Sequence, residues 1–164
     1  MRTSANIDLS FIEEEYFENT LRRFLEFILT LNLKIKGILL FGSVATGKAK
    51  NNDDYLSDID LIIVCDDLPK DRRERKEKIF SLIKPVHSSI QDIWLTSKEL
   101  EDQVDSKFYL ILDAFDEGKI LHDTDGLLKR LKNKLFIELK EKGVIKTDLY
   151  WQWPIKKFGD KIEY

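Results

Sequence analysis

The sequence predicts an α+β fold, in which a small mixed β-sheet carries helices packed on one face. Short apolar runs bounded by turn residues predict buried strands at residues 38–41, 61–65 and 86–95. Longer stretches with apolar residues three and four positions apart predict helices around those strands. The 164 residues suit a single domain. We expect its core at about residues 34–100 and a helical C-terminal part at about residues 101–164.

A helix is predicted before the first strand. Ser10 and Glu13 have the spacing of a capping box, which marks the start of a helix. One apolar stripe follows at helical spacing and is expected to pack on the sheet: Phe17, Leu21, Phe24, Ile28 and Leu31.

A basic helix is predicted after the second strand. Pro69 suits a helix start, and Pro85 stops the helix. Residues 70–84 hold seven basic and three acidic residues, a net charge of +4. This charge indicates either a patch for a nucleic acid or acidic partner, or a solvated face of helical ion pairs.

The C-terminal part is predicted to be mainly helical. Thr96 or Ser97 caps a short helix, and a longer helix ends at Gly118. Residues 119–122 are extended, and a leucine-rich helix follows and ends at Gly143. The aromatic and basic tail, residues 150–159, either docks on the domain or stacks nucleic-acid bases.

Composition narrows the class of protein. The net charge of −3 argues against nucleic-acid binding over the whole surface. Cys65 is the one cysteine, so no internal disulfide forms, and we expect a cytoplasmic protein. No apolar run has the length of a membrane span, so no membrane partner is expected. His87 and His122, without further cysteines, give no zinc signature.

Two carboxylates stand at the start of the second strand. Asp58 and Asp60 are two positions apart, so on a strand their side chains share one face. Such a pair repels itself, and a divalent cation removes the repulsion. Mg²⁺ prefers carboxylate oxygens and commonly bridges to substrate phosphates.

A possible phosphate site lies at the end of the first strand. Gly42 and Ser43 follow the apolar run and are expected to open a short helix. Glycine allows close approach of the backbone to a phosphate, and the Ser43 hydroxyl can donate a hydrogen bond to it. Phosphate and metal groups would then lie on neighbouring strands.

These motifs resemble a known family. Residues 42–47, G-S-V-A-T-G, followed by residues 57–61, S-D-I-D-L, resemble the signature of the DNA polymerase beta-like nucleotidyltransferases, and in particular their minimal single-domain branch. Residues 115–121 are also similar to the segment that follows the catalytic strands there. The resemblance implies the polymerase beta-like nucleotidyltransferase fold, with residues 34–100 as catalytic core.

The resemblance also implies a reaction and its residues. Asp58, Asp60 and Asp92, the last on the third strand, would hold two Mg²⁺ ions, and Gly42 and Ser43 would hold phosphates. The substrate would be ATP or another nucleoside triphosphate. The acceptor would be a hydroxyl of a protein, an RNA end or a small molecule. Some small members are antitoxins of HEPN-type ribonuclease toxins, so a binding module with weak or no catalysis is the alternative.

The chain departs from the family pattern at one position. Many members carry Arg where this sequence has Thr46. Lys48 either supplies the missing charge or is solvated, and both readings stay open at this point.

Overall fold

The computed structural model describes residues 7–86 and 89–155, together with Lys157 and Gly159. His87 lies outside the described residues. The strands are β1 (Ile35–Phe41), β2 (Asn51–Asn52), β3 (Tyr55–Leu56), β4 (Ile59–Cys65), β5 (Ile90–Leu95), β6 (Lys119–Asp123), β7 (Ile145–Lys146) and β8 (Trp151–Gln152). The α-helices are α1 (Glu15–Thr30), α2 (Gly42–Ala45), α3 (Arg72–Ile83), α4 (Ser97–Asp105), α5 (Tyr109–Glu117) and α6 (Leu127–Glu141).

The main sheet within the described residues has four strands in the order β5-β4-β1-β6. β4 pairs with β5 in parallel, whereas β1 pairs with both β4 and β6 in antiparallel register. The mixed sheet predicted from the sequence is therefore confirmed. Because β6 pairs with β1, the sheet continues into the C-terminal part of the chain.

Helices cover both faces of this sheet, whereas the sequence predicted helices on one face. Residues of α1 and α3 form one apolar cluster with alternate residues of β1 and β4, such as Leu40 and Leu61. Residues of α4, α5 and α6 form a second cluster with the intervening residues, such as Leu39 and Ile62. The physical reason is that β4 carries an almost continuous apolar run, which must be buried on both sides.

Side chains cap the starts of α3 and α4, through Asp71 and Thr96. Thr96, one of the two residues predicted to cap this helix, is the N-cap of α4 and forms a capping box with Glu99. The capping box predicted at Ser10 is wrong, because α1 begins at Glu15. The backbone N–H of Ser10 instead donates to the carboxylate of Asp8 at 2.9 Å, within a turn.

The C-terminal hairpin β7–β8 docks on α5. The Trp151 indole N–H donates to Asp113 at 2.9 Å. Lys146 donates to Asp116 at 2.6 Å and to Glu117 at 2.8 Å. Docking, one of the two readings of the aromatic tail, is thus the structural role of this hairpin. No helix among the described residues is both long and apolar enough to cross a bilayer.

Candidate active site

The candidate site lies where β1 ends and β4 begins. Antiparallel pairing sets Phe41, the last residue of β1, opposite Asp60, the second residue of β4. Asp58 immediately precedes β4 and is exposed, and Asp60 is half-buried. The turn that follows β1 therefore lies beside the two carboxylates, at one end of the two central strands of the sheet.

The environment of Asp60 opposes a negative charge. Partial burial raises the pKa of the Asp60 carboxyl above its usual range, and the negative charge of Asp58 raises it further. The two carboxylates therefore interact, as the sequence predicted. A cation placed between them would offset both the repulsion and the loss of hydration.

Gly42 lies directly against the Asp60 side chain. Its backbone is left-handed, with φ +73°, which favours glycine. A Cβ at this position would collide with the Oδ2 atom of Asp60 and would lie 3.2 Å from its Cγ atom. The glycine of the signature is thus required by the Asp60 carboxylate, in addition to any approach of a phosphate.

The short helix α2, which begins at Gly42, has Thr46 as its C-cap residue. The Thr46 hydroxyl donates to the carbonyl oxygens of Gly42 at 3.1 Å and Ser43 at 3.3 Å. The backbone N–H of Lys48 donates to the Ser43 carbonyl at 2.8 Å. Thr46 therefore has a local structural role, and the Ser43 side chain is half-buried beside the turn.

Lys48 is exposed, and its positive charge lies near Glu117. Glu117 also accepts from Lys146, and its pKa is lowered mainly by that hydrogen bond, with a smaller effect of Lys48. The charge of Lys48 therefore interacts with an acidic residue of α5, Glu117, at this end of the sheet.

The segment between the two signature motifs is a small hairpin, β2–β3. Ser57 fixes its base, because the Lys50 N–H donates to the Ser57 hydroxyl at 2.9 Å and the Ser57 N–H donates to the Lys50 carbonyl at 2.8 Å. Ser57 is only 4% exposed, so it shapes the chain entering Asp58 and leaves the chemistry to the carboxylates.

The sequence predicted that Asp92 would lie with Asp58 and Asp60. The structure contradicts this prediction, because it places Asp92 on the opposite face of the sheet from Asp60. Asp92 pairs with Leu61 in the parallel register of β4 and β5, and paired residues share a face. Asp60 is the neighbour of Leu61 and points to the opposite face. Asp92 instead accepts a hydrogen bond of 2.5 Å from the indole of Trp94.

Gln91 occupies the position on β5 that the third carboxylate was expected to fill. It is paired with Asp60, and its side chain is exposed. The sequence alone did not single out Gln91, since the choice between residues 91 and 92 depends on the register between β4 and β5. The candidate site therefore contains two carboxylates and one amide at these strand positions.

The residues present fit one divalent cation better than two. Asp58 and Asp60 supply oxygen ligands of the kind that Mg²⁺ prefers, and Asp58 is exposed to solvent. Among the described residues, no group of three His, Cys, Asp or Glu side chains lies together as a metal site. A second ion would need ligands from a substrate or a partner.

This combination of mixed sheet, Gly-Ser turn and carboxylate pair is that of a nucleotidyltransferase. Residues 24–126 match the family described as polymerase beta, nucleotidyltransferase, and they span more than half of the chain. The chain belongs to this family and has its fold.

Two solved structures are similar at low identity. One is a toxin–antitoxin structure with AMP-PNP, with 21% identity over 76% of this chain and 87% of that chain, at a TM-score of 0.46. The other is a mutant of the toxin–antitoxin MntA-HpeT, with 19% identity over 77% of this chain and 86% of that chain, at a TM-score of 0.40. No curated protein matches the chain. The family match, and not these two similarities, carries the assignment.

Proposed function

We propose that this protein is a Mg²⁺-dependent nucleotidyltransferase that moves a nucleoside monophosphate onto an acceptor hydroxyl and releases pyrophosphate. ATP is the expected donor, and another nucleoside triphosphate is the variant of this proposal. The observation that supports it is the Asp58–Asp60 pair, held against the turn at Gly42. A single buried cysteine suits the reducing cytoplasm, where we place the protein.

The roles of the residues follow from their charge and position. Asp58 and Asp60 would hold Mg²⁺, whose positive charge would offset the negative charge on the phosphates while the acceptor oxygen bonds to the α-phosphorus and pyrophosphate leaves. The Ser43 hydroxyl would donate to the outgoing phosphates. Gly42 keeps the turn close to Asp60 and leaves the space that a Cβ would take. In this proposal, catalysis comes from positioning and electrostatic stabilisation.

The proton of the acceptor hydroxyl needs a destination other than Asp92, which lies across the sheet. Gln91 shares the face of Asp60, but its amide is not a base at neutral pH. Solvent water, or a group that arrives with the acceptor, is therefore the proposed proton acceptor. A protein hydroxyl, an RNA end and a small hydroxylated molecule all remain candidate acceptors.

The absence of Asp92 from this face favours a second candidate function. A site with two carboxylates can bind a metal–nucleotide complex without efficient transfer. In that case the protein would be an antitoxin-type binding module, paired with a HEPN-type ribonuclease toxin, with weak or no catalysis.

One experiment separates the two candidates. Binding of labelled ATP and release of pyrophosphate are measured with and without Mg²⁺, and with and without candidate acceptors (a protein hydroxyl, an RNA end and a small hydroxylated molecule), for the wild type, Asp60→Asn and Asp92→Asn. A transferase requires Mg²⁺-dependent release in the wild type and in Asp92→Asn, and its loss in Asp60→Asn. A binding module shows Mg²⁺-dependent binding without release. Nucleotide affinity that is independent of Mg²⁺ and of Asp60 would contradict both candidates.

Gln91→Asp tests whether the missing carboxylate limits turnover. This change places a third carboxylate at the position on β5 that is paired with Asp60, and pyrophosphate release should rise. Gln103→Asp, on α4, introduces the same charge outside the site and is the control. An equal effect of both changes would show that the position on β5 has no special role.

A further inference from the structure

A groove of about 540 Å³ lies beside β5, between α3 and α4. Asp92 and Trp94 line it from the strand, on the face of the sheet opposite to Asp60. The groove is therefore separate from the candidate active site: the groove is lined by residues of β5, and Asp60 belongs to the neighbouring strand β4 and points to the other face. Its volume is within the range of roughly 300–1,000 Å³ that is typical of small-molecule sites.

The groove has an apolar wall with one prominent aromatic ring. Ile79 and Ile83 of α3 are buried beneath it, and Trp94 is buried beside them. Phe80, which also lines the groove, leaves 56% of its surface exposed. An exposed phenyl ring beside an apolar cavity gives a ligand with an apolar body a surface to cover.

The charges around the groove are unevenly paired. Arg75 binds Glu99 through two hydrogen bonds of 2.8 and 3.0 Å, and it also donates to the Pro69 carbonyl. This ion pair joins α3 to α4 at the side of the groove, and the charges of Arg75 and Glu99 neutralise each other. Arg72 and Lys76 line the same groove and make no ion pair with any other described residue.

The rest of α3 shows that these two cations are exceptional on their helix. Arg73 pairs with Glu77 at 3.0 Å, and Lys78 donates to the Asp67 carbonyl at 3.3 Å. The positive charge that the sequence placed in residues 70–84 is thus partly neutralised within the fold. Lys70, Lys78 and Lys84 also make no ion pair with a described residue, but they do not line the groove, whereas Arg72 and Lys76 do.

We propose that this groove binds a small molecule that has an aromatic or apolar body and an anionic group, such as a carboxylate, sulfonate or phosphate. The body would cover Phe80 and the apolar wall. The anionic group would lie at Arg72 and Lys76, where it meets two positive charges. An acidic protein segment is a different occupant, and the experiment below distinguishes it.

The test uses anilinonaphthalene sulfonate, a fluorescent aromatic anion, titrated into the full-length folded protein. We expect one saturable site per chain. Arg72→Gln and Lys76→Gln should each weaken binding about tenfold, the effect of removing one charge-assisted contact. Phe80→Ala should weaken it to a similar degree, and Asp60→Asn should leave it unchanged.

Arg73→Gln is the matched control, because Arg73 is on the same helix but does not line the groove. It removes the same charge and should leave the affinity unchanged. Thermal unfolding of every variant verifies that the probe reports on the native state.

Three outcomes would overturn the proposal: no saturable binding, several equivalent sites, or equal weakening by Arg73→Gln. An acidic peptide of alternating glutamate and valine is titrated in parallel. Binding of the peptide, sensitive to Lys76→Gln, without binding of the fluorescent anion would assign the groove to a protein partner and contradict a small-molecule site.

Discussion

Gly42 and Asp60 form a unit at the scale of single residues. The sequence predicted that Gly42 would allow a phosphate to approach the backbone and that Asp60 would bind a cation. The structure adds a direct constraint between the two, because the Asp60 carboxylate fills the space beside the glycine. Spacing along the chain could not reveal this contact, which depends on the pairing of β1 with β4.

Asp60→Asn is expected to stabilise the metal-free protein at neutral pH. Burial and the charge of Asp58 raise the pKa of Asp60 in the folded state, so its ionised form opposes folding. We expect a gain in the free energy of unfolding, measured by denaturant titration.

The sign of the pH dependence follows from the raised pKa of Asp60. The unfavourable contribution is present above the folded pKa and disappears as the pH falls below the unfolded pKa, where both states are protonated. The advantage of Asp60→Asn should therefore shrink on acidification. A constant difference between variant and wild type at all pH values would contradict this origin.

Gly42→Ala is expected to destabilise the protein for two separable reasons. The left-handed backbone costs roughly 1–2 kcal/mol for a residue with a Cβ. The collision with Asp60 adds to this cost. In the background Asp60→Ala only the backbone cost should remain, so a double-mutant cycle should show a coupling between the two positions. Additive free energies would refute the contact.

The junction of α5 and β6 shows how one element is held against another. A Cβ at Gly118 would collide with the Ala114 carbonyl oxygen and would lie 2.6 Å from the Leu40 carbonyl oxygen. Both obstacles are backbone atoms, which cannot rotate away. The sequence correctly marked Gly118 as the end of the helix, but the close approach to β1 is visible only in the fold.

Gly118→Ala should therefore cost more stability than Gly37→Ala. The obstacle at Gly37 is the side chain of Leu128, with its nearest atoms at 2.7 Å, and a side chain can change rotamer. We expect a loss of about 3 kcal/mol or more at Gly118 and a smaller loss at Gly37, from denaturant titrations. Equal losses would mean that the backbone contact is not limiting.

At the scale of the whole molecule, the sequence predicted the strands and their order along the chain but not their mutual register. Apolar runs and turn residues were sufficient for β1 and β4. The third strand, predicted at residues 86–95, is β5 at Ile90–Leu95, and Val86 lies in a turn. The face to which Asp92 points depends on its pairing with Leu61, a contact between residues far apart in sequence. The prediction of helices on one face of the sheet was also wrong. An apolar run that is buried on both faces does not show, from its sequence, which helices cover each face.

Because β4 is buried on both faces, the backbone amides around the candidate site should exchange their hydrogens with solvent at very different rates. β4 is paired with β1 and β5 and is almost entirely buried, whereas the residues of β2 and β3 are exposed. Amides of residues 61–64 should exchange only when the whole domain unfolds, and those of residues 52–55 should exchange through local opening.

The slowest and fastest amides of this region should thus be separated by only a few residues, with Asp58 and Asp60 between them. Hydrogen exchange followed by mass spectrometry would locate the step. Similar protection on both sides of Asp58 would show that the hairpin β2–β3 opens only together with the sheet. If the step is found, a molecule that binds at the carboxylates contacts two elements of different stability. Strand β4 on one side stays folded, whereas the hairpin β2–β3 on the other side opens and closes many times before the protein itself unfolds.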